Sequence, residues 1–111
     1  MIVRNKEIII LPADKQPVGI YVKELQFSKF SLKLEKNDMI YLFTDGYRDQ
    51  FGGEKGEKFK FPAFKNLLIE ISGNKCDKQN EILENTLYNW QNLHKKIYNQ
   101  IDDILILGIK I

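Results

Sequence analysis

A chain of 111 residues with a formal net charge of +2 can hold one core at most, and the charge is too small to argue for a nucleic-acid partner. Apolar and charged shares are ordinary for a globular chain, and no apolar run approaches the roughly 20 residues of a membrane-spanning helix. The single cysteine, Cys76, excludes an internal disulfide and suits a reducing, cytoplasmic setting; no His or second Cys stands near it in sequence to make it a nucleophile or ligand.

The chain opens with strand-like runs, "IVR" and "IIIL", around Asn5-Lys6-Glu7, a tight-turn composition that does not read as a secretory signal. Phe30, Leu32 and Leu34 alternate with Lys29, Ser31 and Lys33, which predicts a strand with one wet face over 30–34. Glu35-Lys36-Asn37-Asp38 predicts a turn. "MIYLF" follows, apolar throughout, and predicts a strand over 39–44 buried on both faces. Gly52, Gly53 and Gly56 suit either a flap or a plain surface loop. Pro62 and the stripe Phe64, Leu67, Leu68, Ile71 predict a helix over 62–72 that stops at Ser72-Gly73-Asn74. Asp77 is a candidate cap for a second helix over 77–93, with Ile82, Leu83, Leu87, Trp90 and Leu93 along one stripe. "ILILGIKI" closes the chain as a strand over 104–110. Strands, then helices, then one strand describe an α+β layered fold, with an antiparallel sheet covered on one face by two helices.

Two acidic sites stand out in that frame. Asp45 follows an apolar strand, and Asp102 and Asp103 precede another. If the two strands are antiparallel neighbours, the carboxylates meet at one rim of the sheet. Close carboxylates repel, and a hard divalent cation such as Mg²⁺ or Mn²⁺ removes that conflict. Gly46 would let the backbone turn beside the ion, and Asp49, one helical turn on, could line the rim. A plain reading stands beside this one: Asp-Gly is a common turn dipeptide, and Asp102 and Asp49 suit a strand-end cap and a solvated charge.

The quoted segments carry a resemblance. "DMIYLFTDGYRDQFGGEKGEKF" resembles the strand–Thr-Asp-Gly segment of SpoIIE-type serine/threonine phosphatases, a branch of the metal-dependent PPM superfamily. "QIDDILILGIKI" is similar to that branch's closing Asp-Asp-strand segment, and "ADKQPVGIY" to its upstream Pro-x-Gly-Ile stretch. The resemblance implies a partial PPM-type β-sandwich. It implies Asp45 and Asp102 as ligands of a catalytic Mn²⁺ or Mg²⁺, two ions being held in the complete domain. Asp103, Gly46 and Asp49 would stand around those ligands. It further implies an upstream sensor domain and a phosphorylated regulatory partner such as an anti-anti-sigma factor. The family's first half carries an Asp-x-x-Gly-x-Gly type segment that does not occur here, so the chain is expected to correspond to the C-terminal half of the phosphatase domain and to be inactive alone. A two-sheet sandwich missing its first half is expected to leave sheet edges or an inner face exposed and to form a homodimer or higher species.

The other chemistry-bearing residues are weaker. His94 is the only histidine and has no partner set, which favours a helix-surface residue over a ligand. No Gly-x-x-x-x-Gly-Lys segment is present, and no Ser-His-Asp set assembles. A second function class remains: a non-catalytic signalling module that docks a partner protein.

Overall fold

Residues 1–16, 18–20 and 26–111, apart from the His94 side chain, are described by a computed structural model. Part of the Pro-x-Gly-Ile stretch (Pro17 and Tyr21) and the side chain of His94 therefore lie outside the described residues.

Asn5 and Lys6 both have positive φ, 51° and 65°, the pair of left-handed residues that a two-residue hairpin turn requires. They join β1 (Ile2–Arg4) to β2 (Glu7–Ile9), with Arg4 opposite Glu7. Asn tolerates this backbone region readily, whereas Lys does not. Lys6 is held there by its ammonium, which donates to the carbonyls of Ile69 and Glu70 at 3.0 and 2.9 Å, at the end of helix α2 (Phe61–Ile71). A cation at that end also complements the helix dipole.

The predicted turn at 35–38 is present. Asn37 takes φ 73°, and Asp38 donates its N–H to the Glu35 carbonyl at 3.1 Å. Arg4 locks this turn to β1. Its guanidinium reaches both carboxylate oxygens of Asp38 at 2.9 and 2.8 Å, the Glu35 carboxylate at 2.9 Å and the Lys33 carbonyl at 3.0 Å. Hydrogen bonds from Arg4 and from the Glu35 N–H, with the Arg4 charge beside it, hold the Asp38 carboxyl down at about 2.

β3 (Met39–Phe43) follows, and β6 (Ile106–Lys110) pairs with it antiparallel, Leu42 facing Leu107 and Ile40 facing Ile109. The sheet order is β2-β1-β3-β6, antiparallel throughout. Between β3 and α2 lie a one-turn helix, α1 (Gly46–Asp49), and a small hairpin of β4 (Phe51–Gly52) and β5 (Glu57–Lys58). Helix α3 (Cys76–Gln91) runs after α2. The core gathers Val3, Met39 and Tyr41 from the sheet, Tyr47 from α1, Phe64, Leu68 and Ile71 from α2 and Leu83 from α3. A buried polar clasp ties sheet to helices: the Tyr41 hydroxyl donates to Gln79 Oε1 at 2.6 Å, and Gln79 Nε2 donates to the Asn74 carbonyl at 2.9 Å.

Three expectations need correction. Residues 30–34 form no strand, and Phe30, Leu32 and Leu34 are exposed. Alternation marks a half-buried strand only where a neighbour offers a ladder, and the sheet has its edges at β2 and β6. "MIYLF" is not buried on both faces. Met39 and Tyr41 face the helices, while Leu42 is 55% exposed on the opposite side with Leu107 and Ile109. Among the described residues no second layer covers that side, since these side chains stay exposed. Asp77 does not cap α3. The helix begins one residue earlier, and the Asp77 carboxylate accepts the Lys78 N–H within the first turn.

Candidate metal centre

The ladder between β3 and β6 does not stop at its last strand pair, Phe43 and Ile106. Beyond it Thr44 donates its N–H to the Leu105 carbonyl at 3.0 Å. The Thr44 hydroxyl donates to the Asp103 carbonyl at 2.9 Å and accepts the Leu105 N–H at 3.0 Å. One side chain thus continues the sheet past its end and binds the segment before β6 to the segment after β3. No role for Thr44 follows from the strand pattern or from the Asp-Gly pair alone. A hydroxyl at a strand end just before Asp-Gly, able to donate and accept at once, was the available signal.

This closure brings Asp45 and the Asp102-Asp103 pair to the same rim. Gly46 completes it for a reason other than the one expected. It lies in α1 and does not take positive φ. A Cβ there would press on the Asp103 carbonyl oxygen and lie 2.8 Å from its carbon and 2.9 Å from Ile104 Cγ1. Only glycine lets the two backbones approach this closely. Tyr47 then fixes α1 from below. It is buried, its ring meets Phe59 and Phe64, and its hydroxyl donates to the Leu83 carbonyl at 2.9 Å. Burial pushes that hydroxyl's pKa up, so it stays a donor.

The acidic side chains on this scaffold differ in their partners. The Asp45 carboxylate is exposed and pairs with Arg48, whose guanidinium also lies 5.2 Å from the Phe61 ring centre. The Asp102 carboxylate is exposed and accepts the Asp103 N–H at 2.7 Å. Asp103 is exposed and lends the rim its carbonyl. Asp49 turns instead toward Lys58, 3.4 Å away, and so answers a neighbouring charge. Gly52 and Gly53 do not belong to a loose flap. Both are buried against Trp90, with the Gly53 N–H donating to the Trp90 carbonyl at 2.8 Å. Trp90 in turn donates its indole N–H to the Gln50 carbonyl at 3.0 Å.

As a donor set, Asp45 and Asp102 are hard carboxylate oxygens. Mg²⁺ and Mn²⁺ prefer such ligands, and Mg²⁺ is commonly held by one or two carboxylates with water completing its shell. In donor chemistry the two carboxylates suit one such ion. Among the described residues no cluster of three or more His, Cys, Asp and Glu side chains gathers, so any ion here has few protein ligands.

The sequence model of the family described as Stage II sporulation protein E (SpoIIE) matches residues 1–111. The chain belongs to the SpoIIE family. Among solved structures, the SiaA-PP2C domain of Pseudomonas aeruginosa is similar to it, with 34% identity and a TM-score of 0.64 over 72% of this chain. The chain spans 31% of the length of that domain. Among curated proteins no match is found. The SpoIIE sheet with two helices on one face is thus a partial PPM-type fold, as the sequence resemblance implied.

Proposed function

We propose that this SpoIIE-family chain forms the C-terminal half of a metal-dependent phosphoserine/phosphothreonine protein phosphatase domain that acts in bacterial signal transduction. Asp45 and Asp102 are its ligands to Mn²⁺ or Mg²⁺, and Asp103 supports them. One observation carries this reading. The antiparallel register of β3 and β6, extended by Thr44, lays the backbone that carries Asp45 beside the segment that carries Asp102 and Asp103 in a chain of this family, and this supports the reading. When bound, the ion supplies Lewis acidity and offsets the charge of a phosphoryl group. The protein's own part is to hold the two segments together: Thr44 and Gly46 set the approach of the backbones that carry Asp45 and Asp102, and Tyr47 ties α1 to α3.

The substrate class follows the branch, a small phosphorylated regulator such as an anti-anti-sigma factor, controlled by an upstream sensor domain. The setting is cytoplasmic; no helix among the described residues is long and apolar enough to cross a membrane. Two carboxylates alone bind an ion weakly, so the 111-residue chain with Mn²⁺ and a phosphoryl test substrate should show negligible turnover. A longer protein that supplies the rest of a PP2C-type domain should be active, and Asp45→Asn or Asp102→Asn in it should abolish activity. Full Mn²⁺-dependent turnover after both substitutions would refute the assignment. The bare apolar face around Leu42, Leu107 and Ile109 favours one other reading, a module that docks a partner without catalysis. The same two substitutions, if without effect on signalling, would select it.

A further inference from the structure

Arg48 is the one cationic side chain that meets the acidic rim among the described residues. It pairs with Asp45 three residues before it, while the carboxylates of Asp102 and Asp103 have no ion pair there. Its position is built and not incidental. The Arg48 carbonyl accepts the Lys60 N–H at 2.8 Å, which pins α1 to the entry of α2. The first residue of α2, Phe61, places its ring 5.2 Å from the guanidinium, within cation–π range. The side chain is consequently only about a third exposed, at 32%, although its partner Asp45 is 61% exposed.

We propose that Arg48 is a built-in counter-ion that a divalent cation must displace from Asp45, so that it sets the metal concentration at which the site fills. The proposal rests on the metal-site reading above and adds a residue that controls it. A guanidinium on a carboxylate occupies an oxygen that a metal ion needs, and the two cations repel when both are near. Contact with the Phe61 ring, on a backbone pinned at the α1–α2 junction, favours the position beside Asp45 when the ion arrives. The competition therefore persists at each binding event. A lysine would compete less well, since it lacks the planar fork that grips a carboxylate and stacks on a ring.

The test is Mn²⁺ binding by the 111-residue chain at low ionic strength, followed as loss of the free-ion EPR signal. Arg48→Gln should bind Mn²⁺ roughly three- to tenfold more tightly, the scale expected from removing an exposed ion pair and a nearby like charge. Arg48→Lys should fall between this variant and the wild type. Thermal unfolding without metal distinguishes a merely structural role, which would lower stability and leave affinity unchanged. Should the variants fold poorly, titration of the wild type with Mg²⁺ supplies the readout: the Arg48 side-chain N–H resonance should shift on saturation. Unchanged or weaker binding by Arg48→Gln, or an unshifted Arg48 resonance on saturation, overturns the counter-ion role. If Asp45→Asn loses binding while Arg48→Gln changes nothing, the site stands and the counter-ion role falls. If Asp45→Asn binds as well as wild type, the metal site falls and the proposal with it.

Discussion

Replacing Gly46 by alanine tests the closure on which the candidate site depends. In a free helix the change would help by about 1 kcal/mol, because glycine is a poor helix residue. Here the added Cβ would lie 2.8 Å from the Asp103 carbonyl carbon and 2.9 Å from Ile104 Cγ1, closer still to the carbonyl oxygen, where ordinary contact begins at 3.4 Å. The obstruction is mostly backbone, so the segment before β6 must withdraw by more than about 0.5 Å to restore ordinary contact. Withdrawal weakens both Thr44 hydroxyl bonds, now 2.9 and 3.0 Å. Overpacking of this kind typically costs about 1–3 kcal/mol, and each lost hydrogen bond adds about 0.5–1.5 kcal/mol. With both bonds lost and after the propensity gain the net loss is about 1–5 kcal/mol, or at least about 4 °C in Tm for a chain of this size. Urea unfolding and a thermal scan by circular dichroism measure it. Gly73→Ala is the control: its Cβ would meet nothing nearer than Lys6 Nζ at 3.6 Å, so the change should stay within about 0.5 kcal/mol of neutral. A Gly46→Ala protein as stable as wild type, or more stable, would refute the close-approach argument.

Tyr41→Phe removes the hydroxyl that satisfies the buried Gln79 Oε1 and should destabilise by about 1–3 kcal/mol in urea unfolding; an unchanged midpoint would count against the clasp. The Asp38 carboxyl is lowered from 3.8 to about 2 by Arg4 and the Glu35 N–H, so its contribution to stability is fully present above about pH 4 and is lost as pH falls toward 2. Asp38→Asn should flatten that part of an acid-unfolding curve, and a curve identical to wild type would contradict it. The bare face of Leu42, Leu107 and Ile109 and the free edge of β6 should drive dimers or higher species at roughly tens of micromolar. Leu107→Lys should shift light scattering toward monomer, and a wild-type monomer at that concentration would tell against self-association.

Much of this architecture is legible in the sequence because its signals are local. The stripe Phe64, Leu67, Leu68, Ile71 after Pro62 defines α2, the Asn5-Lys6 pair defines a hairpin, and two apolar runs beside acidic residues define β3, β6 and their shared rim. Only the tertiary structure decided the rest. Residues 30–34 alternate like a strand but have no ladder to join, since pairing depends on a neighbour the segment cannot specify alone. Uniformly apolar "MIYLF" does not tell whether one face or two are covered, because that depends on how many layers stack on it. Gly52 and Gly53 are free-loop glycines in sequence and buried ones in space, because the ring that packs on them, Trp90, belongs to a helix far along the chain. Thr44 and Gly46 act the same way: their partners, Asp103 and Leu105, come close only when the last strand folds back beside the third.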